Sequence, residues 1–215
     1  MYGLYKWYKP TGTGFSGFFA CKKAGKSRPQ MALGGKKMSY ITTYTRKHFD
    51  PVNPDPELIC IEDIAHALPL ICRGNGQVSS FWSVGEHCIL CSKEAVARGY
   101  EDRLVLALLL HDASECYMSD VPRPLKQIMD IYNKQEKHLL DVIYTKFLGS
   151  TLSAEEERQL KEIDDAVLWY DLKYLLGEGE EAEKPKLHVE IDYTVREFKE
   201  VEQEYLKLFE KYTCK

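Results

Sequence analysis

His111 and Asp112 close an apolar run, Glu115 follows them within a turn, and His87 and the Asp164-Asp165 pair lie on either side in the chain. Imidazoles and carboxylates that converge from rigid elements make a donor set for a divalent metal such as Mn, Fe, Co or Zn. Successive helical residues diverge by about 100°, so His111 and Asp112 can share one ion only where it sits at a helix end, between packed helices. Glu115 comes four residues after His111 and three after Asp112, which places it on their face if the helix continues through Ala113 and Ser114. A carboxylate held near the ligands but off the metal suits proton transfer, as base to a water or as acid to a leaving oxygen. The other reading stays open at this stage: the three residues cap the helix and pair with basic neighbours.

Helices must position these groups. Leu104 to Leu110 (LVLALLL) is apolar all round, which predicts a central buried helix that delivers His111 and Asp112 at its end. Ser83-Val84-Gly85-Glu86 fits a capping box, which puts His87 in the first turn of a helix whose face is Val84, Cys88, Cys91 and Ala95 and which stops near Gly99. Ile61 to Cys72 reads as an earlier helix, kinked near its end by Pro69. Leu125 to Phe147, Ser153 to Leu176 and Val195 to Tyr212 are three more helical patterns, and the middle one carries Asp164 and Asp165. Gly177 to Glu181 reads as a solvated acidic loop, and the Thr, Tyr and Ile alternation of SYITTYTRKHFDP suits a strand or hairpin. The expected fold is all-α: a bundle of six to seven helices with a short β element near residue 40.

Composition bounds the partners. Eight of the 29 Lys/Arg lie in residues 1–37, which hold no Asp or Glu, so residues 38–215 carry 21 basic against all 33 acidic side chains. Such an acidic body argues against an extended nucleic-acid footprint, although a metal or a local basic pocket can still hold a phosphate. Residues 1–37 also hold seven of the 14 glycines without any sustained apolar period, and read as a mobile basic arm before a folded domain at 38–215. No stretch approaches the roughly 20 apolar residues of a membrane span. Seven cysteines, an odd number and several of them in apolar helical patterns, suggest a reducing, intracellular and hence cytoplasmic setting. Cys88-Ile-Leu-Cys91 lacks a second pair and reads as core packing, as does Cys116; His66 reads as a structural or pocket-edge histidine.

The segments ICRGNGQVSSFWSVGEHCIL, LLLHDASECYMSDVPRPLK and LKEIDDAVLWYDL resemble successive motifs of the HD-domain metal-dependent phosphohydrolases, nearest to YfbR-like and YfdR-like 5′-deoxynucleotidases. The likeness runs from residue 38 to about 176. It implies an HD-domain helical bundle in which His87, His111, Asp112 and Asp164 bind a divalent ion and Glu115 is the acid/base residue, with Asp165 a live alternative to Asp164. It further implies that Arg73 lies near the phosphate and sugar and that Asp120 belongs to the substrate pocket; Lys126 suits a phosphate on charge grounds. The sequence departs from the YfbR pattern at Gly74, where an aromatic residue follows the arginine. Hydrolysis of deoxynucleoside monophosphates is the leading expectation, with a deoxynucleoside triphosphate as the second substrate and a non-catalytic nucleotide- or partner-binding protein as the third reading. Small enzymes of this kind are often homodimers.

Overall fold

The structure, a computed structural model, describes residues 40–178 and 183–213. The basic arm expected at residues 1–37 and most of the acidic loop fall outside the described residues. A two-stranded antiparallel hairpin opens the fold, β1 (Ile41–Thr42) against β2 (His48–Phe49), with Ile41 opposite Phe49. Thr45 at its tip is pinned by Asp63, which accepts from the Thr45 amide at 2.7 Å.

Among the described residues, all regular structure after the hairpin is helical. The longer helices are α1 (Ile61–Ala67), α2 (Val84–Ala97) and α3 (Asp102–Leu110), followed by two single turns, α4 (Glu115–Met118) and α5 (Arg123–Lys126). Then come α6 (Asp130–Leu148), α7 (Ala154–Leu176) and α8 (Phe198–Thr213). Six of these segments exceed one turn, so the all-α bundle with a small β element holds.

Local chemistry accounts for several of the ends. The capping box at Ser83 and Glu86 is present in both directions, the Ser83 hydroxyl accepting from the Glu86 amide at 3.1 Å and Glu86 accepting from the Ser83 amide at 3.0 Å. Ser153 and Glu156 form a second such box at the start of α7. Gly85, inside the first turn of α2, leaves room for Pro69: a Cβ there would meet the Pro69 ring and backbone nitrogen at 3.0 Å. Pro69 itself lies in a 3-10 turn, Leu68–Leu70, that ends α1 at Ala67.

Two boundaries differ from expectation, and the continuation of the buried helix toward Glu115 does not occur. The buried helix stops at Leu110, and residues 111–114 form tight turns before α4. The pattern read from Leu125 breaks at Met129 (φ −116°, ψ 56°), and the long helix starts only at Asp130. Ile128 and Ile131, on either side of this break, are 80% and 81% exposed. Likewise α8 begins at Phe198, because Val195 is on the surface rather than on the buried stripe of Val201, Tyr205 and Phe209.

The core forms around α3. All seven residues from Leu104 to Leu110 are buried, with α2, α6, α7 and α8 packed against the helix, as a helix without a polar face requires. Residues 187–193 run without regular structure and are fastened to α2 by Glu94. That carboxylate is fully buried and accepts from the His188 amide at 2.8 Å, the Val189 amide at 3.1 Å, His188 Nδ1 at 2.9 Å and Arg98 Nε at 2.7 Å. Among the described residues no helix is long and apolar enough to cross a membrane.

Candidate metal centre

Where α3 ends, its last carbonyls need donors, and side chains supply them. Tyr205 of α8 donates its hydroxyl to Leu109 O at 2.5 Å, and His111 Nδ1 pairs with Leu108 O at 2.7 Å. A carbonyl only accepts, so Nδ1 of His111 carries the proton and Nε2 is the free atom. Nε2 is buried with no hydrogen-bond partner; Asp112 Oδ2 lies 3.3 Å away and Asp164 Oδ1 3.7 Å. The turn at 111–114 thus brings imidazole and carboxylate of adjacent residues to one point, which a continuing helix would have splayed apart.

From α2, His87 arrives fully buried, its ring centroid 5.2 Å from that of His111. Its Nε2 is 3.1 Å from Asp164 Oδ1, so Asp164 faces both rings from α7. Asp165, one residue on, points away: it accepts from Arg123 at 2.9 Å and lies 2.7 Å from Lys161. Asp164 rather than Asp165 therefore joins His87, His111 and Asp112 at the cluster.

The donor set fits a cation. An imidazole lone pair directed at carboxylate oxygens is repulsive unless a proton or a metal ion lies between them. In the protein alone the carboxylates draw protons: burial opposes charge on His111 and His87, yet Asp112 at the first ring, and Asp164 with Asp171 at the second, raise both well above the ordinary imidazole range. Conversely, burial would raise Asp164, but the two histidines hold it far below the usual carboxylate range. Two thiols border the same space. Cys91 Sγ is 3.6 Å from His87 Nε2, and the ligand atoms of His87, Cys91 and His111 lie within 4.8 Å of one another, as do those of Cys88, His111 and Asp112. This buried group of His, Cys and Asp could hold a metal ion. Cys88 and Cys91 are core residues, as expected, but they also form the inner wall of the cluster.

Beside the cluster stands Glu115, at the start of α4. Its Oε2 is buried without a partner, and Lys126 Nζ lies 3.8 Å from Oε1. Burial, then Asp112 and Asp120, raise its carboxyl well above the usual range against the pull of Lys126 and Arg73. Lys126 is also bound to Glu136 of α6 at 2.8 Å. Asp120 follows Ser119, which takes a left-handed backbone (φ 70°); burial raises its carboxyl too, with Arg73 opposing.

Arg73 comes from the loop after α1, whose bridge between Cys72 and Ser83 ties it to the start of α2. Its guanidinium donates to Asp112 Oδ2 at 3.4 Å and lies 3.6 Å from Asp171 Oδ2. Gly74 follows with φ +59°, a conformation that disfavours the aromatic side chain of the YfbR pattern. The sequence reading overlooked Asp171. Its signal was available, since it follows Asp164 by seven residues, two helical turns along the same face of α7. Hydrogen bonds to His87 and Tyr193 were beyond any local pattern.

Asp164 and Asp165 give a direct comparison. Replacing Asp164 by Asn is expected to weaken Mn2+ binding at least as much as loss of an outer-shell partner does, on the order of 10–100-fold. The same change at Asp165 removes only exposed ion pairs and should shift affinity by about twofold or less. Calorimetric titration of both variants decides, and equal effects would mean that the cluster does not use Asp164.

No protein-family model matches the chain. Uncharacterized protein YfdR of Escherichia coli (strain K12) is 39% identical over 112 residues, 51% of this chain and 59% of YfdR, so that match spans less than two thirds of the relative's length. Uncharacterized protein RCAP_rcc00048 of Rhodobacter capsulatus is 34% identical over 151 residues, 67% of this chain and 76% of that protein. At this identity and coverage, the chain belongs to the same family as these uncharacterized YfdR-like proteins.

Proposed function

We propose that the protein is an HD-domain type phosphohydrolase that removes the 5′-phosphate of deoxynucleoside monophosphates, giving a deoxynucleoside and inorganic phosphate. The observation that carries this reading is Glu115: a buried carboxyl, raised toward its protonated form and with one oxygen free, set beside a His/Asp cluster rather than within it. His87, His111, Asp112 and Asp164 would hold the divalent ion. When bound, the ion supplies positive charge to the phosphoryl oxygens and lowers the pKa of a water.

The remaining work belongs to the chain. Water attacks phosphorus, the P–O5′ bond breaks, and Glu115 hands its proton to the departing 5′ oxygen. Arg73 and Lys126 face the same region with fixed positive charge and balance the phosphate as the bond opens. Glu115 also lines a cavity of about 380 Å³, with Tyr44 stacked on His66 at 3.6 Å and with Leu70 and Ile71 along its wall. A space of that size accommodates a nucleoside.

A phosphate-release screen over deoxy- and ribonucleoside mono- and triphosphates, run with Mn2+, Co2+, Fe2+ and Zn2+, tests the proposal. Inorganic phosphate from deoxynucleoside monophosphates supports it. Release of triphosphate from deoxynucleoside triphosphates would move the same site to the second substrate class, and silence with every metal would refute hydrolysis.

A further inference from the structure

We infer that Asp171 is a positioning residue of the metal centre: it holds Nδ1 of His87 so that Nε2 faces the ion, and Tyr193 in turn holds Asp171. This rests on reading His87, His111, Asp112 and Asp164 as the metal ligands.

The geometry is specific. Asp171 Oδ2 lies 3.1 Å from His87 Nδ1, and Oδ1 accepts from the Tyr193 hydroxyl at 3.0 Å. The His87 ring is thus held between two carboxylates of one helix, Asp171 at Nδ1 and Asp164 at Nε2. Their seven-residue spacing on α7 sets the distance between these grips. Donation from Nδ1 to Asp171 selects the tautomer whose Nε2 lone pair is available, and the negative partner makes that nitrogen more basic toward a cation. Asp171 is 4% exposed and His87 not at all, so no water substitutes easily for either partner.

Tyr193 gives the arrangement its reach. It belongs to the irregular segment that Glu94 fastens to α2, and its ring packs on Trp82 (centroids 4.9 Å apart) next to the capping box of α2. The hydroxyl is therefore delivered to Asp171 by a segment distant in sequence from every ligand. If Asp171 served only as a counter-ion for Arg73, whose Nη2 is 3.6 Å away, the Tyr193 hydroxyl would have no bearing on metal affinity.

The full chain, stripped of metal and titrated with Mn2+ or Zn2+ by calorimetry, tests the idea on the folded fraction of each variant. Asp171→Asn should weaken binding on the order of 10–100-fold. Tyr193→Phe, which removes one neutral hydrogen bond and little volume, should weaken it by about fivefold. The double variant should be no weaker than Asp171→Asn alone, because Tyr193 acts through Asp171. Affinity of Asp171→Asn within about twofold of the parent, or a Tyr193→Phe effect that persists undiminished in the Asp171→Asn background, overturns the inference. If Asp171→Asn does not fold, an unchanged affinity in Tyr193→Phe overturns it by itself. A parent chain that takes up neither ion fails at the earlier step and refutes the metal-centre reading as well, whereas a parent that binds with unaffected variants refutes the positioning role only.

Discussion

Glu115→Gln is expected to lower turnover of a deoxynucleoside monophosphate by roughly 10²–10⁴-fold, the usual worth of a positioned general acid or base. Metal affinity should stay close to that of the parent. Both halves of the result follow from position. Glutamine keeps the volume of a side chain that is 4% exposed and packed at the foot of α4, but it cannot deliver a proton to a leaving alkoxide. Glu115 is not among the groups that close on the His111 and His87 nitrogens, so its neutralisation removes no ligand. Single-turnover phosphate release paired with Mn2+ titration separates the two effects. Activity within a few-fold of the parent would eliminate Glu115 as the proton donor, and a lost metal would recast it as a ligand.

The second large effect concerns stability. Glu94→Ala is expected to cost about 2–4 kcal/mol, because it strips four donors of their shared acceptor and leaves Arg98 beside a hole in a buried site. For a chain of this size the midpoint of thermal unfolding should fall by roughly 5–15 °C. Burial pushes the Glu94 carboxyl up, but His188 and Arg98 outweigh it and hold the group below the ordinary glutamate value of 4.5. A depressed folded-state pKa contributes stability above the unfolded value, and that contribution is lost as pH falls through the depressed one. The gap between parent and variant should therefore be constant from neutrality down to about pH 5 and narrow below the ordinary value. Denaturation at a series of pH values checks this. A cost under about 1 kcal/mol at pH 7, or a gap that widens in acid, contradicts the role given to Glu94.

What could be read in advance was what short-range rules decide. Ser83 and Glu86 are three residues apart and satisfy each other, so the start of α2 and the place of His87 follow from a four-residue pattern. The depth of α3 follows as directly, since LVLALLL offers no polar face to solvent. Whether it runs on toward Glu115 did not follow. Apolar periodicity predicts burial but not where turns replace the helix, and the turn at 111–114 depends on donors from His111 and from Tyr205, 96 positions away from Leu109. Phasing along α7 separates Asp164 from Asp165 only once the neighbouring helices are in place. Arg73 was legible as a residue of interest through resemblance alone; its contacts with Asp112 and Asp171 join segments that nothing local connects. Val195 was placed on the apolar stripe of the last helix and lies on the surface instead, because apolar character does not guarantee burial.

The hydrogen bond from His111 to Leu108 O narrows the chemistry this position can accept. Aspartate or cysteine at 111 would still offer an atom to a divalent ion, but neither, once deprotonated for binding, has a hydrogen left for that carbonyl. Exchanging the imidazole for another donor type would leave a buried acceptor unsatisfied at about 1–3 kcal/mol, whatever the fate of the ion. On the proposed ligand set, histidine would be held at this position by the helix as well as by the cation, and ligand replacement designed to retune the metal preference would have easier targets at Asp112 or Asp164, whose carboxylates cap no helix end.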